Sequence, residues 1–219
     1  EEPLGVAITG EGHALVISRG AVLLARREGG DPRTLIPSGR LQSPWRLDVS
    51  PATGEIFVAE NSAATGAEVP HHQVRRFSSE GELLGTFGEP AGRRDGAYDP
   101  SGFLRITDIA CDLEGGYLVA EPQRPPRRVA RFDRTGRLVM EFFGSPPYGT
   151  GATPEPGDPR HVWYSTGSGL VRAEVDYEKD SWRVLETYFQ AIHRNVLAGV
   201  GKGVRIVRAQ GRTYIAGFN

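Results

Sequence analysis

The chain has one cysteine, Cys111, among its 219 residues, which excludes an internal disulfide, a CxxC redox pair and a cysteine-ligated zinc. An excess of charge of one sign is missing too. Twenty-six Lys and Arg stand against 27 Asp and Glu, a net charge of −1, so no overall field draws the molecule to nucleic acid or to an anionic membrane. No apolar run approaches the roughly 18 residues that a membrane helix needs, and membrane insertion is not expected. The opening EEPLGVAITG lacks the basic and apolar regions of a secretory leader. It starts at Glu1 and not at Met, which leaves room for a removed leader or a longer upstream region.

What the sequence has in quantity is turn formers, 29 Gly and 16 Pro. They fall between short apolar runs and not in one tract, which is the punctuation of an all-β protein. A hydrophobic content of 38% suffices for a core.

The chain also repeats itself. LDVSPATGEIFVAEN (47–61) lies over DIACDLEGGYLVAEP (108–122), with Gly54 on Gly115 and Val58-Ala59-Glu60 on Val119-Ala120-Glu121. HQVRRFSSEGELLGTFG (72–88) lies over RRVARFDRTGRLVMEFF (127–143), with Val74, Phe77, Gly81, Leu83 and Phe87 on Val129, Phe132, Gly136, Leu138 and Phe142. The two halves differ in offset because the loop after the first Val-Ala-Glu is longer, as expected of structural repeats. Period-two alternation with Gly-containing turns predicts antiparallel hairpins, four strands to a unit. Degenerate copies flank the two clear ones. The units run over about 4–40, 41–88, 104–144 and 145–190, with a partial unit over 191–219.

Four-stranded units repeated in this way predict an all-β fold, a β-propeller of antiparallel blades in a single domain over 1–219. GEIFVAEN…HHQVRRFSSEGELLGTFG and GGYLVAEP…RRVARFDRTGRLVMEFFG resemble the blades of the NHL-repeat family, including the propeller regions of large extracytoplasmic bacterial proteins. Glu60 and Glu121 stand where that family usually has Asp. The resemblance implies a ring, commonly of six blades, of which about four and a half are present. A further chain segment or a second polypeptide is then expected to complete it, and the location is expected to be extracytoplasmic. Fold does not transfer activity.

In propeller topology the loops joining strands two and three, and those leading to the next blade, share one face. That places Glu60, His71, His72, Glu121 and the loops 89–104 and 144–160 on the candidate binding face, with His193 beside them and Tyr148 of Pro-Pro-Tyr as an aromatic contact. His13 and His161 belong to the opposite face, and this division weakens a metal centre. No cofactor is expected; if calcium or zinc binds, as it does at the channel mouth of related lyases and lactonases, its ligands would be Glu60, His72 and Glu121. As a carboxylate pair Glu60 and Glu121 could serve acid–base chemistry, but their equivalence in two units favours a structural task done once per unit. Arg127 and Arg128, with Arg124, Arg131 and Arg134, make a basic stretch that would suit single-stranded RNA, yet the stacking aromatics are missing, so nucleic acid is disfavoured.

The favoured reading is therefore a non-catalytic module that binds a protein, peptide or glycan. A metal-dependent hydrolase or lyase is the alternative, and RNA binding stands third.

Overall fold

The computed structural model describes residues 3–122, 126–144, 152–165, 169–188 and 204–217. Among the described residues the fold is all-β apart from one helical turn, and the chain divides into two compact units. One comprises Glu1–Arg93, Pro100–Pro122 and Arg128–Phe142; the other comprises Arg94–Asp99, Gln123–Arg127 and Phe143–Asn219.

In the first unit three antiparallel meanders follow one another. Sheet one is β1 (Gly5–Ile8), β2 (Ala14–Ser18), β3 (Ala21–Ala25) and β4 (Arg33–Ile36). Sheet two is β5 (Pro44–Val49), β6 (Ile56–Glu60), β7 (Val74–Phe77) and β8 (Leu83–Phe87), with a single turn α1 (Ser62–Thr65) in the longer loop after β6. A short strand, β9 (Gly96–Ala97), comes next in the chain and belongs to the second unit. Sheet three is β10 (Asp108–Cys111), β11 (Tyr117–Glu121), β12 (Arg128–Phe132) and β13 (Leu138–Phe143).

Sheet two is covered on both faces, and β6 shows why its sequence is so apolar. Ile56 and Val58 enter one core with Leu15, Ile17, Val22 and Ile36 of sheet one. Phe57 and Ala59 enter a second core with Ile109, Tyr117, Val119 and Phe132 of sheet three. All five residues of β6 are buried, so the usual alternation of apolar and polar residues disappears. The repeated Phe77 and Phe132 are both buried in these cores. Each fully buried large apolar side chain contributes about 1.5–3 kcal/mol relative to exposure.

The repeated glycines explain themselves at the same interfaces. Gly81, in the turn between β7 and β8, has φ +88°, and a Cβ there would lie 2.4 Å from the Leu35 carbonyl oxygen of sheet one. Gly136, its counterpart between β12 and β13, has φ +83°, and a Cβ would lie 2.3 Å from Phe87 Cδ1 of sheet two. In both sheets the hairpin turn rests on the preceding sheet, and only a residue without a Cβ allows that approach in this conformation.

One alignment of the sequence needs correction. Val49 pairs with Ile56, whereas Cys111 pairs with Tyr117, so Val49 corresponds to Cys111 and not to Ala110. The hairpin between β10 and β11 is shorter by one residue than that between β5 and β6, and a slip of one residue exchanges the faces of a strand. A bulge between Pro44 and Arg46 puts a further extra residue into β5 opposite β6. Asp48 and Asp108 are consequently not equivalent: the Asp48 carboxylate accepts the Cys111 amide across the two sheets at 2.7 Å, and Asp108 is exposed.

In the second unit β14 (Ala152–Glu155), β15 (Asp158–Ser165), β16 (Leu170–Asp176) and β17 (Ser181–Tyr188) form a meander, and β9 adds antiparallel to β17 as a fifth strand. β18 (Val204–Ala209) and β19 (Arg212–Gly217) form a hairpin. The loop 89–104 supplies β9 and the buried Arg93 and Phe103. Its Gly and Pro content hides these anchors.

Candidate functional site

Glu60 and Glu121 end the second strands of sheets two and three, and neither side chain has any exposed surface. One Glu60 oxygen accepts the Gln42 amide at 2.5 Å and the Ser43 amide at 3.1 Å; the other takes Arg75 Nε at 2.7 Å. Glu121 repeats the arrangement. Its Oε1 accepts the Leu104 amide at 2.5 Å and Arg93 Nη2 at 3.0 Å, and its Oε2 accepts Arg128 Nε. Each carboxylate therefore ties the segment entering strand one of its sheet to the end of strand two. The charge is balanced by arginine from the third strand, and in sheet three by Arg93 as well.

Arg128 lies inside this network. It is buried and donates to the Pro100 and Gly102 carbonyls at 2.7 Å each and to Glu141 at 3.1 Å. Arg127 is half-buried, and its carbonyl accepts the Gly144 amide at 2.9 Å. Arg131 pairs with Asp112 at 2.8 Å, and Arg134 with Glu55 at 3.1 Å. Arg128, Arg131 and Arg134 are thus compensated by acidic partners from elsewhere in the chain, which the linear sequence does not show, and Arg124 lies outside the described residues.

His72 is buried, donates its amide to the Pro90 carbonyl and accepts the Arg105 amide on Nδ1 at 3.4 Å. Burial, reinforced by the nearby Arg105 charge, pushes its pKa from 6.5 down to about 4, with Glu121 opposing, so the imidazole is neutral near pH 7. His71 is only half-buried and donates its amide to Ser62 Oγ at 3.0 Å. His13 and His161 pair with acidic neighbours: Glu11 at 3.3 Å, and Asp158 at 3.1 Å. Tyr148 and His193 lie outside the described residues.

Metal chemistry finds no fit in these groups. The lone pairs of Glu60, Glu121 and His72 that would meet a cation are engaged with N–H donors, and two of the residues sit against arginine. Among the described residues no three His, Cys, Asp or Glu side chains form a group that could hold a metal. The thiol of Cys111 is held protonated, its pKa raised by burial and by Asp48, Asp112 and Glu55.

Polar side chains also fix the hairpin turns. Asp133 Oδ1 accepts the amides of Thr135 and Arg137, Asp176 Oδ1 those of Glu178 and Lys179, and Ser78 Oγ those of Glu80 and Glu82. Concave surface occurs at hairpin ends of this kind. A cleft of about 520 Å³ spans the hairpins of sheets one and two, floored by Leu15, Leu35 and Ile56. A groove of about 580 Å³ follows the β16–β17 hairpin.

No protein-family model and no curated protein matches the chain. Among solved structures, it is similar to a protein of unknown function from Bacteroides caccae, at 17% identity and a TM-score of 0.41 over 95% of this chain and 68% of that one. It is also similar to a functionally unknown protein from Desulfotomaculum acetoxidans, at 16% identity and a TM-score of 0.45 over 85% of this chain and 56% of that one.

Proposed function

We propose that the protein is a non-catalytic interaction module, an extracytoplasmic β-propeller of NHL type that binds a protein, peptide or glycan. The observation that carries the reading is the fate of the chemically capable residues. Glu60, Glu121 and His72 are buried and consumed in holding strands together, which leaves them neither the lone pairs for a metal nor the access for acid–base work.

Support for the propeller comes from sheet one. Val6 and Ile8 are 64% and 62% exposed. By their place before the β1–β2 hairpin they correspond to Leu47 and Val49 of sheet two, which are buried against sheet one. Beside them in register stand Val16 and Leu23. A surface that is covered in the next sheet is bare in this one, and another sheet, from a further segment or a second chain, would close the ring over it.

The test is to present the purified protein to peptide and glycan arrays and to follow the bound molecules by mass spectrometry. Saturable, reversible binding with the ligand recovered unchanged is expected. Turnover of a bound ligand that stops on addition of a chelator would overturn the reading.

A further inference from the structure

We propose that the groove along the β16–β17 hairpin is a carbohydrate site that takes a neutral oligosaccharide on the rings of Trp182 and Tyr177. Both rings line the groove, and they remain 45% and 67% exposed. Aromatic rings left open in a concavity beside polar groups make up the usual lining of a ligand site. Each ring is also fixed in place. Tyr177 donates its hydroxyl to the Pro159 carbonyl at 3.0 Å, while Trp182 packs on Phe143 at 5.0 Å and edge-on to Tyr164 at 6.3 Å between centroids. A rigid ring loses little entropy when a ligand settles on it.

The polar lining decides the class of ligand. Arg160, Ser181 and Arg183 offer donors, and Glu174, Asp176 and Glu178 offer acceptors. Their charges are largely compensated within the protein: Arg183 holds Glu174 at 2.5 Å, Lys179 holds Asp176 at 2.9 Å, and Arg160 stands 3.6 Å from Asp158. An anion or a cation would have to displace one of these pairs. A purely apolar ligand would strip water from the charged rim with nothing in return. A sugar chain meets both demands, because its C–H faces cover the rings and its hydroxyls both donate and accept.

This goes beyond the general binding reading, since it places a site on a strand three to strand four hairpin and not on the loops between strands two and three. A failure here leaves that reading to be judged by the arrays.

The test uses the whole chain, titrated with cellohexaose, xylohexaose, mannohexaose and maltohexaose. Tryptophan emission and calorimetry are read together. Trp163 is buried and Trp45 half-buried, so saturable quenching or shift of the exposed Trp182 emission with at least one sugar is expected. Trp182→Ala should weaken that binding about 30-fold or more, as loss of a central aromatic anchor does, and Tyr177→Ala should weaken it less. Trp182→Phe should retain most of it, which separates a lost ring from a lost fold, and circular dichroism melts verify each variant. No saturation with any of the four sugars, or affinity undiminished in a folded Trp182→Ala, would overturn the proposal. Saturation by an oligolysine peptide in place of the sugars would equally overturn it and assign the groove's carboxylates to a basic protein partner.

Discussion

Glu121 faces two arginines, Arg93 and Arg128, whose side chains are as fully buried as its own. Removing the carboxylate leaves those charges without their common partner, a change that costs about 3–5 kcal/mol. Glu121→Ala should therefore lower the urea midpoint strongly. Glu60→Ala should do so less, because the arginine paired with it, Arg75, is partly exposed and can turn to water. Denaturation curves of the two variants check both the size and the order. His72 makes a second prediction at this scale. Its folded pKa of about 4 lies below the ordinary 6.5, so the unfolded chain takes up the proton first. Its contribution is fully present above pH 6.5 and is lost as the pH falls toward 4, on the order of 3 kcal/mol in all. A His72→Gln variant should show a shallower loss of stability over that interval than the parent, whatever its stability at pH 7. Tyr117 makes a third. Its ring packs against Phe57, Phe87 and Phe132, and its buried hydroxyl has no hydrogen-bond partner among the described residues. Tyr117→Phe removes an unsatisfied polar group that costs about 1–3 kcal/mol, so its thermal midpoint should equal or exceed that of the parent.

At the scale of the element, the hairpin glycines separate packing from backbone strain. Gly54 and Gly81 both have positive φ, but a Cβ meets nothing within 4 Å at Gly54 and the Leu35 carbonyl at Gly81. Gly54→Ala should cost only the strain of the left-handed conformation, about 1 kcal/mol. Gly81→Ala and Gly136→Ala should cost clearly more, because the turn must lift from the neighbouring sheet. Chemical denaturation of the three variants measures the gap. Strands were the legible part of this sequence. The Val-Ala-Glu runs and the Ser-Ser-Glu-Gly and Asp-Arg-Thr-Gly turns mark β6, β11 and the third hairpins because period and turn chemistry are local. Partners were not legible. Arg93 reaches Glu121 from a loop with no strand pattern, β9 is two residues long, and the one-residue difference between two hairpins is invisible to an alignment anchored on Val-Ala-Glu. The groove at Trp182 was missed because an exposed tryptophan and a core tryptophan read alike in a β-strand.

At the scale of the whole molecule, one surface is covered sheet by sheet and left bare at the start of the chain. Leu47→Ala, inside the first core, should cost about 2–5 kcal/mol, whereas Val6→Ala, exposed, should stay within about 0.5 kcal/mol. If a partner segment closes over sheet one, the cost of Val6→Ala should rise toward that of Leu47→Ala when the partner is present, and paired denaturation curves would show it. The central claim is that the three sheets of the first unit stack face to face, with the β7–β8 and β12–β13 turns each resting on the sheet before it. Nuclear Overhauser spectroscopy tests this most directly. Cross-peaks from Tyr117 ring protons to both Phe57 and Phe87, and from the Gly136 and Gly81 α-protons to Phe87 and Leu35, are the predicted result. A spectrum in which β11 shows no contact with sheet two, or in which Phe87 faces only its own sheet, would contradict it.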